Sequence, residues 1–489
     1  MPRGEGPLVQ GKERAPRSRD QQRVRLHVLL PVSAVAGLLG IAAAVALFSL
    51  IGLFSNFFYY HRLALRYVEP HASPFAASPL TVAVVVCGAL VAGLAIRYGD
   101  LALRGHGIPE VMEAVLQRGG RIPWRIAVLK PLTAALVIGT GSPFGAEGPI
   151  IQTAGALGSL VGQVVPLTDR ERAILLGCGA AAGMTGIFAT PLAAVLLALE
   201  LLVFEFSAAA VVPIAAAAAV AAALRPHLLP PSPLFPSTAG FHGGPLAVLW
   251  TAALGVAAGL EAVALTRALY GLEDLFERIR WRPLVVRPVI GAVVVGCIAL
   301  AFPQVLGMGY DLIRQVLAGG LPAGALLGIL GAKAVGWLVA LASGTVGGVL
   351  APLFLIAGSS GALVGLALAH VTGQSPTLVA LLFMAAVFAG SSRAVLTAAV
   401  FAAEVSGDFR ALPVLLLATA VAAATAGALL PYDLMTGKLV RRGVRPPLGF
   451  FPREFATSAE PEPHGTKRGE SLCRPGGAAV AQRNNSLDR

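Results

Sequence analysis

Glu147 is the residue of this chain best placed to do chemistry. It stands alone in Gly145-Ala146-Glu147-Gly148-Pro149, within an apolar, glycine-rich stretch from Gly139 to Gly155. An ionisable group at membrane depth is costly to bury, so it marks a functional site by default. The framework recurs as Gly348-Val349-Leu350-Ala351-Pro352. Both copies read Gly, two residues, a small residue, Pro, then five residues and Gly (Gly155 and Gly358), and only the first carries an acid. A third opening precedes them, Gly105-His106-Gly107-Ile108-Pro109-Glu110. There Pro109 suits the first turn of a helix and the glycines let the backbone turn sharply before it. Each opening would leave unpaired backbone N–H groups at a helix start. Several such starts converging would solvate an anion at membrane depth without a full cation that holds it too tightly to pass.

The elements that must position these residues are membrane helices. Hydrophobic residues make up 56% and charged residues 13%, and mean hydropathy is +0.77, too apolar for a water-soluble chain of this length. The apolar runs are Val28–Phe54, Leu80–Ile96, Ile174–Leu199, Ala208–Leu224, Pro245–Leu260, Leu321–Leu330, Val346–Ala369 and Ala411–Leu430. Their uneven lengths and internal Gly and Pro point to broken or partly spanning helices. The first run is too long for a signal-peptide core, and further membrane segments follow it.

Net charge is +12, with seven basic residues against three acids before His27 and Lys438-Leu-Val-Arg-Arg442 after the last run. By the positive-inside rule, both ends are expected on the cytoplasmic side of the cell membrane. This charge sets topology and meets anionic lipid; no aromatic-basic patch supports a nucleic-acid partner. The expected organisation is a basic tail over 1–26, a transport domain over 27–445 and a disordered tail over 446–489. Within the domain, Pro149 to Glu200 spans 51 residues and Pro352 to Glu404 spans 52, which suggests two repeats, roughly 28–225 and 245–443. Glu200 and Glu404 read as structural acids bonded to backbone N–H groups. Cys87, Cys178, Cys297 and Cys473 lack metal-ligand spacing, and the eight histidines are scattered. No metal, cofactor or enzymatic nucleophile–base pair is expected.

These motifs, in this order, resemble the CLC family of chloride channels and chloride/proton antiporters, in its prokaryotic type without C-terminal CBS domains. Gly105-His-Gly-Ile-Pro-Glu110 is similar to the family's GSGIPE, Gly145-Ala-Glu-Gly-Pro149 to its G[KR]EGP, and Gly348-Val-Leu-Ala-Pro352 to its GxFxP. The resemblance covers roughly residues 30–443. It implies an all-α inverted-repeat fold of tilted and partly spanning helices, and a homodimer with one ion pathway per subunit. It makes Glu147 the gate, occupying an anion site when ionised and swinging out when protonated. It places the outer anion site at Ala146 and Glu147 and the central one at Val349 and Leu350, with His106, Gly107 and Ile108 at the third opening.

The departures carry as much weight. His106 stands where the family's anion-coordinating Ser is. Met435 aligns loosely with its coordinating Tyr, and Tyr432, one turn earlier, is a substitute if that end is helical. Leu201 replaces the inner proton-carrying glutamate, which leaves Glu205 as the proton-transfer candidate or else uncoupled conduction. The expected substrate is chloride or another small inorganic anion, with protons possible partners; fluoride/proton exchange is the alternative, since His106 leaves selectivity open.

Overall fold

The computed structural model describes residues 24–237, 245–278, 285–444 and 446–447. Nearly all of the two tails, and Cys473, lie outside them. The first half comprises α1 (Leu26–Tyr60), α2 (Pro79–Tyr98), α3 (Ile108–Gln117), α4 (Trp124–Gly139), α5 (Glu147–Val164), α6 (Asp169–Phe188), α7 (Pro191–Leu197) and α8 (Ala208–Leu228). The second runs α9 (Pro245–Glu277), α10 (Val286–Ala301), α11 (Tyr310–Leu317), α12 (Ala323–Ala342), α13 (Leu350–Thr372), α14 (Pro376–Ser392), α15 (Val395–Ser406) and α16 (Leu412–Leu429). A short α17 (Gly437–Arg441) follows. The halves match helix for helix, and the packing repeats with them. In the first half, α5 packs on α6, α1 on α6 and α8, and α6 on α8; in the second, α13 packs on α14, α9 on α14 and α16, and α14 on α16.

Small residues allow this packing. A Cβ on Gly37 would lie 2.7 Å from the carbonyl oxygen of Ala217, and one on Gly255 would lie 2.9 Å from that of Ala418. Backbones approach this closely where no side chain intervenes, and dispersion then holds helices together in lipid. Among the described residues, seven helices are long and apolar enough to cross a membrane. The others are shorter or less apolar. The Ile174–Leu199 run is two helices parted at Thr190-Pro191, and the Leu321–Leu330 run is only the start of α12, which continues through Lys333 to Ala342. Lys333 ends the apolar run in sequence but is fully buried in the helix.

The repeats are antiparallel, as two reciprocal caps make plain. Glu200, beyond the end of α7, accepts hydrogen bonds from the Thr397 backbone N–H (3.0 Å) and hydroxyl (2.8 Å) at the start of α15. Glu404, near the end of α15, accepts from the N–H groups of Leu192 (3.1 Å) and Ala193 (2.7 Å) at the start of α7. Each acid satisfies donors that a helix start leaves open. The two acids are structural, as their chemistry suggests.

Candidate functional site

Three chain segments are stitched together where the glycine openings meet. Gly145 and Gly348 exchange backbone hydrogen bonds (3.2 and 2.9 Å), and Gly347 N–H reaches the Gly105 carbonyl at 3.4 Å. A Cβ on Gly148 would fall 2.1 Å from the His106 carbonyl oxygen, so only glycine permits this approach. The starts of α3, α5 and α13 are thereby gathered at one place. Their N-cap residues, Gly107, Ala146 and Val349, provide no side-chain cap. Their first-turn N–H groups and dipole ends can therefore serve a ligand.

Glu147 begins α5 and is fully buried. Its Oε1 accepts the Ala351 backbone N–H at 2.8 Å, so the carboxylate itself caps α13, where the helix dipole favours negative charge. Its Oε2 is buried without a partner. Gly145 and Gly348 leave room for it, since Cβ atoms there would lie 2.0 Å from Oε2 and 2.9 Å from Cδ. The arrangement places a negative, protonatable group on donors otherwise suited to an anion.

His106 is buried beside them, and neither ring nitrogen has a hydrogen-bond partner. Its loop is held by Lys130 of α4, whose ammonium donates to the carbonyls of Leu103 and Gly105, both at 2.9 Å. Gly107 and Ile108 open α3, with Gly107 at φ +90°. Lys438 of α17 pairs with Glu273 at 3.2 Å; a Cβ on Gly105 would be 2.7 Å from its Nζ. A cavity of about 410 Å³ opens alongside, lined by Arg104, Glu110, Glu113, Arg118, Gln152 and Arg442 among others.

Tyr432 and Met435 occupy a turn before α17, so the helical register that would let Tyr432 stand in for Met435 is absent. The Tyr432 ring meets that of Tyr270 edge-on at 5.4 Å, and Met435 is fully buried. Leu201 is buried and offers no proton site. Glu205 lies in the α7–α8 connection, paired with Arg170 at 2.5 Å and accepting from the Ser207 hydroxyl. The hydrogen bond from Arg170 holds its carboxyl below the usual carboxylate range. A carboxylate so held is ionised at neutral pH and poorly set to pick up a proton.

Sequence reasoning missed a fourth opening, Gly307-Met308-Gly309-Tyr310, which starts α11 as Gly105–Ile108 starts α3. Lys333 holds it as Lys130 holds the first, donating to the carbonyls of Val305 (3.0 Å) and Gly307 (2.7 Å). The signal was present: Lys130 precedes Pro149 by 19 residues, and Lys333 precedes Pro352 by the same number. Glu69 accepts the Tyr310 N–H at 2.8 Å and the Tyr67 hydroxyl at 2.6 Å, while His71 pairs with Asp311 at 3.0 Å. These three ionisable residues bring potential ligand atoms within 4.8 Å of one another, in a cluster that fixes the start of α11.

A family model described as voltage gated chloride channel matches residues 87–427. The H(+)/Cl(-) exchange transporter ClcA of Yersinia pestis is 28% identical over 316 residues, 63% of this chain and 66% of that relative. Among solved structures, a slow cyanobacterial Cl-/H+ antiporter matches with TM-score 0.73 and 22% identity, covering 85% of this chain and 97% of that one. A CLC-type fluoride/proton antiporter matches with TM-score 0.70 and 24% identity, covering 84% and 97%. At these identities the structural likeness establishes the fold.

Proposed function

The chain belongs to the voltage gated chloride channel family, and from that premise we propose that it carries chloride or a similar small inorganic anion across the membrane, gated by Glu147. The observation behind this reading is the Glu147 carboxylate seated on the Ala351 N–H. Ionised, it occupies the donors at the start of α13 and excludes an anion from them. Protonated, it loses the charge that the helix dipole favours. It then swings aside and leaves the N–H groups of α13 and α5 to the anion. Ala146, Val349 and Leu350 contribute through backbone, so side-chain changes there alter little.

Because one carboxyl answers to both proton and anion, exchange of chloride for protons is the favoured mode. The exchange activity named for ClcA and for the cyanobacterial antiporter supports it. Transport, not catalysis, is the activity. Both ends of the domain face the cytoplasm in this reading. A line of polar contacts supports it: Arg25 bonds Glu171, Arg172 bonds the Gly119 carbonyl, Arg118 pairs with Glu113, and Glu113 with Arg442. The working unit is a homodimer in the cell membrane, with lipid around it.

The test is flux from reconstituted liposomes, with chloride and pH recorded together under an imposed chloride gradient and fluoride run in parallel. Uphill proton movement driven by chloride supports exchange. Chloride flux without it replaces exchange by a channel, and flux with fluoride alone replaces the substrate. Glu147→Gln and Glu147→Ala should both make flux less dependent on pH; an undiminished pH response in the two variants removes Glu147 from the gate.

A further inference from the structure

His106 presents a problem that the gate does not solve. Its side chain is buried, and both Nδ1 and Nε2 lack a partner. Burying an imidazole with neither its N–H nor its lone pair satisfied is unfavourable unless something transient fills the place. It adjoins the uncapped start of α3, and its own carbonyl abuts Gly148 in the first turn of α5. The backbone donors of the proposed anion path are therefore its immediate neighbours.

The charges around it decide what that filler does. Lys130 from α4, Lys438 from α17 and Arg442 beyond it all act on the ring electrostatically. Lys438 is answered by Glu273, and Arg442 by Glu110 and Glu113. Glu147 across the junction is engaged with α13. Burial above all opposes a positive ring and the neighbouring cations add to that opposition, which an anion at the start of α3 would offset.

Resting on the anion-path reading above, we propose that His106 is a proton-linked anion ligand. The neutral ring donates its N–H to the bound anion, and its second nitrogen takes a proton from water while that anion is present. No bond breaks in the protein; imidazole plus a proton gives imidazolium, and the proton leaves when the anion does. The linkage is reciprocal, so lower pH strengthens anion binding as much as the anion strengthens proton binding. His106 thereby supplies a titratable group in a pathway where Leu201 offers none.

The experiment uses the full-length protein carrying Glu147→Gln, which removes the titration of the gate. Chloride binding is measured by titration calorimetry at about pH 5.5 and about pH 8, either side of the ordinary imidazole range, in buffers of different ionisation enthalpy. The expected result is roughly tenfold tighter binding at the lower pH, with proton uptake on chloride binding. Adding His106→Gln or, as a second variant against misfolding, His106→Ser should flatten that response and abolish the uptake. A pH response and uptake that persist in both double variants overturn the assignment. Absence of any chloride or fluoride binding in the Glu147→Gln protein at both pH values instead sinks the anion-path reading, and this one with it.

Discussion

At the scale of single residues, function here depends on which charges are satisfied. Glu147 has one oxygen on the Ala351 N–H and the other unpartnered, and it was readable from sequence because an acid between glycines in an apolar stretch has few structural excuses. The surroundings of Glu205 were not readable, because sequence spacing does not reveal Arg170, 35 residues away in the chain, as its partner. Its depressed pKa fixes the sign of a prediction. The ion pair contributes stability above the ordinary carboxylate value of 4.5 and loses it as pH falls through the lower folded value. Glu205→Gln should therefore lower the melting temperature slightly at neutral pH and reduce its fall on acidification, while proton movement in liposomes persists. Loss of proton movement with anion flux intact would instead support Glu205 as the proton carrier.

At the scale of elements, the site depends on two buried lysines acting as clamps. Replacing Lys333 by Met would leave the Val305 and Gly307 carbonyls without donors, whereas Lys130→Met would orphan that of Leu103 and leave Gly105 only the long bond from the Gly347 N–H. Each unsatisfied group costs about 1–3 kcal/mol, partly offset because a buried ammonium no longer needs accommodating. Both variants should melt several degrees lower in detergent. Lys130→Met should in addition cut anion flux more than Lys333→Met, since only the former holds the His106 loop. Equal flux in the two would argue that Lys130 serves stability alone. The three Gly–Pro openings were legible because glycine and proline punctuate helices by backbone geometry. The fourth was not, because Tyr310 and Asp311 stand where Ile108 and Pro109 stand in the first, and a lysine in an apolar run reads as a boundary. The turn at Tyr432–Met435 was hidden for a related reason. Asp433 Oδ1 accepts the N–H groups of Met435 and Thr436, a local bond that competes with helix but leaves no periodic trace.

At the scale of the whole molecule, the doubled landmarks in the sequence announced a repeat but not its direction, because spacing along a chain is blind to inversion. Sidedness is open to a direct check. Cysteines introduced at His61, past the end of α1, and at Arg442 should be labelled by an impermeant maleimide from opposite faces, the first in intact cells and the second only after permeabilisation, with the native Cys87, Cys297 and Cys473 removed. Labelling of both from one face would overturn the topology. The caps that cross between α7 and α15 have a consequence for how such a chain is made. Glu200 finds its donors only at residue 397, and the start of α7 finds its acceptor only at Glu404. Translation must therefore leave the first half unfinished in the membrane until the second has been inserted. Severed between Leu229 and Pro245, the pieces should accumulate only when made together, as two strangers each holding the other's missing end.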